Sequence, residues 1–176
     1  GLLLFFENSS AQEKKVANTS SASGTNIGVV DMKKILAQSK AYQSLVDQFE
    51  DVRRKHRNTF TKQEDVIRDE ESELLKQKNV LSKEAYAEKV KALGKKINEL
   101  KQKQTNDAKK FESSFEKSTN KIQGALVDVL SIIANNKKLN LVLAKSQVIL
   151  VGKDIDLTDD AIKELNKVLP KISLDK

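Results

Sequence analysis

From Ala41 to about Asn79 the chain has neither Pro nor Gly and is rich in Gln, Glu, Lys and Arg. These side chains lose little rotamer freedom in a helix, so the stretch predicts one long helix. Its apolar residues are sparse: Phe49, Val52, Phe60, Ile67 and Leu74 recur at three-, seven- or eight-residue intervals. A stripe that thin suits one partner helix, not a globular core. Asn79-Val80-Leu81-Ser82-Lys83-Glu84-Ala85 reads as a turn and a helix start, with Ser82 placed to cap exposed amides and Glu84 near the positive helix end. In the returning helix Tyr86, Val90, Leu93, Ile97 and Leu100 are spaced four, three, four, three, the seam of a two-helix coiled coil. After a slip near Gln104–Ala108 the stripe continues through Phe111, Phe115, Ile122, Leu126, Val129 and Ile133. Apolar density rises from Ile122 to Ala134, so that end is expected to enter a core while the other protrudes. Helices of ~40 to 50 residues make an arm roughly 60 to 75 Å long, with a mobile tip.

Flanking the arm are short β-branched runs. Ile27–Asp31 predicts a strand and Met32–Gln38 a short helix. Leu139–Ala144 and Gln147–Gly152 read as two strands joined by a tight hairpin at Lys145-Ser146. Thr158-Asp159-Asp160 opens a last helix, with Thr158 as its cap, acids in the first turn and Pro170 beyond. An antiparallel arm returns to its origin, so all three strands can join one sheet at its base. The fold class expected is α+β: a small β body and a long antiparallel helical hairpin. Small sheets have edges that invite pairing, so self-association with closed symmetry is expected. Val29, Val30, Leu141, Leu143, Val148 and Leu150 are the candidate contacts.

Composition narrows the function. Of 176 residues, 38% are hydrophobic, 32% charged and 5% aromatic, which implies a small core for the length. Zero Cys excludes disulfides, thiol catalysis and Cys-ligated metals, and the single His (His56) leaves no histidine metal cluster. A P-loop needs Gly five residues before Gly-Lys, but Gly94-Lys95 has Lys89 there and Gly152-Lys153 has Gln147. Asp154, Asp156, Asp159 and Asp160 lack the Gly and distal Glu of a calcium loop and read as turn and helix-start acids. No enzyme, cofactor or metal is expected. The net charge of +7 favours acidic partners, but Asp47–Lys121 mixes 19 Lys/Arg with 15 Asp/Glu, the pattern of a solvated helix surface. At the amino end Leu2–Phe6, too short to span a bilayer, is followed by Ser9-Ser10-Ala11. Residues 1–11 are expected to be the remnant of a secretory signal and 12–26 a flexible tether.

Ile27-Gly28-Val29-Val30-Asp31-Met32, the charged helical hairpin, Leu139-Asn140-Leu141-Val142-Leu143, the run Val148–Val151 and Asp156-Leu157-Thr158-Asp159 with its helix together resemble the Skp/OmpH family of periplasmic chaperones over roughly residues 27–172. That resemblance implies a homotrimer, whose strands form a barrel-like body and whose hairpins form tentacles around a cavity. It implies that unfolded outer-membrane proteins are held there without ATP, in the periplasm. The body would be 27–40 and 122–172, the tentacle 41–121.

A cavity wall offering Lys/Arg for attraction and scattered apolar side chains for weak contact holds many sequences through multiple weak contacts. The candidate client-binding residues are Arg53, Arg54, Lys55, Arg57, Lys89, Lys91, Lys95 and Lys96 for charge, with Lys109 and Lys110 beside them. Leu81 and Tyr86 near the tip, then Val80 and Phe60, are the apolar ones; Phe60 reads first as a seam residue. Gly94 suggests a flex point in the returning helix, and Gly124 a close subunit or sheet contact. The rival reading is an oligomeric coiled-coil spacer or adaptor that binds a folded envelope partner. Arg53-Arg54-Lys55-His56-Arg57 has no aromatic interleaving, so no nucleic-acid partner is expected. Peripheral contact with anionic lipid is compatible with the basic balance.

Overall fold

A computed structural model describes residues 24–174. The expected signal remnant (1–11) and most of the expected tether (12–26) lie outside the described residues. The elements in chain order are β1 (Ile27–Val30), α1 (Met32–Gln38), α2 (Lys40–Lys76), α3 (Lys83–Asn136), β2 (Leu141–Ala144) and α4 (Thr158–Val168). Among the described residues two compact units separate: one from residues 24–42 and 121–171, the other from 43–120 and 172–174.

The first unit is organised by β1. It pairs in parallel with β2, with Ile27 opposite Leu141 and Val30 opposite Ala144. Its other edge takes Asp156 beside Val29, where the Leu157 N–H donates to the Val29 carbonyl at 2.8 Å. Val29 and Val30 are each only 2% exposed and share a core with Ile35, Leu36, Ile122, Leu126, Val129, Ile133, Leu157 and Leu165. A Cβ at Gly28 would lie 2.6 Å from one Leu157 methyl and 2.9 Å from one of Leu139, so both side chains would have to shift.

Two expectations for this unit are corrected. Gln147–Gly152 is not a strand and makes no hairpin with β2: a 3-10 turn over Lys145–Gln147 follows β2, and the Val148 N–H closes on the Lys145 carbonyl at 3.1 Å. The chain must pass from β2 on one side of β1 to Asp156 on the other, and the intervening residues are spent on that crossing. Ile149 and Leu150 are left 98% and 88% exposed. Thr158, in turn, does not cap α4. It is the helix's first residue, and its hydroxyl accepts the Asp31 N–H at 3.0 Å and donates to the Asp156 carboxylate. The Thr158 hydroxyl first, then the Lys145 ammonium at 2.9 Å, lowers the Asp156 carboxyl to about 2.

Asp31 caps α1 by accepting the Lys34 N–H at 3.0 Å. Ser39, fully buried, divides α1 from α2: its hydroxyl donates to the Leu36 carbonyl and accepts the Tyr42 N–H.

The second unit is a helical hairpin. At 1.5 Å per residue the 37 residues of α2 extend about 55 Å. Phe49 meets Phe115 with ring centroids 4.6 Å apart, and His56 lies between Phe60 and Phe111 at 4.4 and 5.1 Å. At the turn the Ser82 hydroxyl accepts the Ala85 N–H at 3.1 Å, as the cap pattern predicts. Leu45, Phe49, Phe60 and Ile67 are buried, but no residue from Arg68 to Ser113 is. α3 runs through Gly94 and Gly124, and a Cβ at either meets nothing within 4 Å. The close contact expected at Gly124 is therefore absent from this chain's own packing.

Two predictions follow from these contacts. Gly28→Ala forces Leu157 and Leu139 apart and should lower stability by about 1–3 kcal/mol, whereas Gly94→Ala should raise it by about 1 kcal/mol. Chemical denaturation of both variants checks the pair. Asp156 has a folded-state value below its ordinary 3.8, so its contribution is complete above about pH 4 and is lost as the pH falls toward 2. Asp156→Asn should cost on the order of 1 kcal/mol at neutral pH and remove that acid-dependent part of the melting profile.

Candidate functional site

The far part of the hairpin carries most of the candidate residues on surfaces that are charged, and its apolar side chains are at best half-covered. The basic run on α2 is largely neutralised along its own helix. Arg53 pairs with Glu50 at 3.6 Å and lies 5.7 Å over the Phe49 ring. Arg54 and Lys55 converge on Asp51, Lys55 at 2.9 Å. The Lys55 ammonium first, helped by the Arg54 guanidinium, lowers the Asp51 carboxyl below its usual range. Arg57 forms no ion pair among the described residues. These i, i+3 and i, i+4 pairs stabilise the helix by a few tenths of a kcal/mol each and soften the positive field.

On α3, Lys89 donates to the Gln77 side-chain carbonyl at 3.1 Å and Lys96 pairs with Glu70. Lys96 thereby joins the hairpin's two helices, and Lys89 joins α3 to the turn that follows α2. Lys95 reaches Glu99 at 4.0 Å, and Lys91 makes no ion pair among the described residues. Leu81 and Tyr86 are half-buried, and Val80 beside them is 82% exposed. Phe60 is buried in the seam.

Three exposed apolar residues were not among the candidates: Val66, Leu75 and Val90. The signal for the first two was present in the sequence. Val66-Ile67 and Leu74-Leu75 are adjacent pairs on a helix with a one-residue-wide seam, so one member of each must face outward. Val90 does sit on the predicted seam, but the seam is too thin to cover it.

Nearer the buried Phe49, the hairpin has an open cleft of about 290 Å³ lined by Val52, His56, Phe60, Gln63, Asp107 and Phe111. His56 Nε2 and Gln63 Oε1 are buried there without hydrogen-bond partners. Asp107 Oδ2 is 3.8 Å from His56 Nε2 and is engaged by Lys103 at 2.9 Å.

In the first unit the candidate association residues divide. Val29 and Val30 are covered by their own chain and present no surface. Leu143 and Val148 are half-buried, while Leu141 and Leu150 are exposed. The structure adds Ile149, Ile132 and Val168 to the exposed apolar set. Ile132 and Val168 flank a groove of about 320 Å³ between α3 and α4. Among the described residues there is no group of three or more His, Cys, Asp or Glu suited to a metal, and no helix is long and apolar enough to cross a membrane.

Comparison with known proteins places this architecture. A crystal structure from Caulobacter crescentus CB15, described as an OmpH-like outer membrane chaperone, superposes with a TM-score of 0.81 at 15% identity, over 88% of this chain and 92% of that one. It shares the fold: long helices with a small sheet. No curated protein matches the chain. Residues 26–165 match the family described as outer membrane protein (OmpH-like), which covers β1 through most of α4. The chain belongs to the OmpH-like family.

Proposed function

We propose that this protein is a chaperone that holds unfolded outer-membrane β-barrel proteins without ATP and keeps them from aggregating in the periplasm. Family membership supports the chaperone role. The observation that supports the mechanism is the unburied stretch from Arg68 to Ser113, where Leu75, Val80 and Val90 stand exposed among charges of both signs. Exposed side chains separated by solvated charges give brief contacts to an unfolded chain without offering it a core. Many such contacts on one client combine through effective concentration. Lys91 and Arg57, like Lys109 and Lys110, form no ion pair among the described residues and are free to attract an acidic client.

The reading includes self-association through the first unit. Ile149 and Leu150 are adjacent and almost fully exposed, and Leu141 is exposed on β2; uncovered apolar residues of this kind mark interfaces. A trimer, as the family resemblance implies, would enclose a space between hairpins. A spacer or adaptor for one folded partner is the competing function, and the same assays separate the two.

A urea-unfolded membrane β-barrel diluted into buffer without nucleotide should stay soluble in the presence of the protein, as should several unrelated denatured proteins. Protection of none of them supports the adaptor. Leu75→Ser with Val80→Ser should weaken holding several-fold while leaving the helical signal in circular dichroism unchanged. In sedimentation, Ile149→Asp with Leu150→Asp should convert the oligomer to monomer. A parent protein already monomeric at micromolar concentration would defeat the association part.

A further inference from the structure

Residues 172–174, which follow α4, lie along the second unit outside any helix or strand. The Gln48 carboxamide meets them with both ends: its Nε2 donates to the Ile172 carbonyl at 2.7 Å, and its Oε1 accepts the Leu174 N–H at 2.9 Å. The Ser118 hydroxyl, on a residue with no exposure, donates to the Ser173 carbonyl at 3.4 Å. Gln48 Nε2 also donates to the Ser44 hydroxyl at 3.0 Å, which holds the carboxamide in orientation.

All three contacts go to main-chain atoms and none reads a side chain. A donor to the carbonyl before Ser173 and an acceptor for the N–H after it reproduce the pattern that one residue of a parallel strand offers its neighbour. A side-chain amide thus performs strand addition on a helical surface, selecting extended backbone without regard to sequence.

We propose that Gln48 and Ser118 form a seat for extended polypeptide, filled here by the chain's own residues 172–174, and that a segment of unfolded protein enters by displacing them. The unfolded-protein occupant rests on the holding function proposed above. The resident segment is lightly held: Ser173 is exposed, Ile172 and Leu174 are only half-covered, and the Ser118 contact is long. What keeps it seated is its covalent attachment, which maintains a high local concentration until a competitor arrives. The segment also lies beyond residues 26–165 that match the family.

The test compares the full chain with one ending at Lys171, following the Gln48 side-chain amide signal by NMR. That signal should shift in the shortened chain. It should return toward the full-chain position on adding a peptide of residues 170–176, or a scrambled peptide of the same composition. The same peptide N-methylated at Leu174 should not restore it. The shortened chain should also hold an unfolded membrane β-barrel at a lower chaperone-to-client ratio, and Gln48→Ala in the shortened chain should abolish that gain. If the scrambled peptide leaves the signal unmoved, the seat reads side chains and the proposal falls. Equal holding by the full and shortened chains overturns the client as occupant and leaves the chaperone function standing. If neither chain holds any client, that function falls and takes the unfolded-protein occupant with it, while the peptide titration still decides whether the seat binds extended main chain.

Discussion

Strand β1 has two edges, and both must be satisfied by residues far away in sequence. Leu141–Ala144 takes one edge and the Asp156-Leu157 peptide the other. The first unit depends on this double pairing, because its other polar groups are aligned by it. Asp31 ends the strand, caps α1 with its side chain and donates its N–H to Thr158. Thr158 in turn orients Asp156, which Lys145 neutralises. A strand of four residues stabilises little by itself. Here it is closed over by Leu139 and Leu157, which can approach because Gly28 has no side chain.

The hairpin unit is built on the opposite principle. Only a few side chains per helix are buried, and none of them lies in the far part. Long helices persist there because Gln, Glu, Lys and Arg favour the conformation and because ion pairs such as Lys96–Glu70 join the two helices. The same economy of burial leaves apolar groups on the surface at intervals, each fenced by charge. In the proposed holding function these separated groups serve as footholds for another chain.

The two long helices, the Ser82 cap and the strand at Ile27 were legible because each is a local pattern: period, propensity, a hydroxyl three residues ahead of an amide. What the sequence concealed was set by distant partners. Val148–Val151 has every local mark of a strand, but whether a segment pairs depends on which edge the rest of the chain leaves for it. Thr158 has the composition of a cap, yet its hydroxyl is committed to Asp31, 127 residues away. Val29 and Val30 looked like interface residues because strands at edges invite pairing, and they proved to be the centre of their own unit's core. Among the binding candidates, the charges could be read as types but not as partners: nothing local distinguishes Lys91 from Lys96, which meets Glu70 on the opposite helix. Gln48 gave no signal at all, since a glutamine on a charged helix is ordinary until the segment it holds is known.

The separation between β1 and its partners also bears on how the molecule is made. Asn26 waits for Asn140, 114 residues later, before the strand beside it can be paired. At ordinary rates of synthesis that is on the order of ten seconds. Helices form within microseconds of becoming available, so α2 is complete well before the sheet can close, and α3, which ends at Asn136, only just ahead of β2. The β-branched strand β1 is therefore unpaired throughout the synthesis of α2 and α3. A member of a chaperone family thus spends much of its own synthesis with a strand edge uncovered.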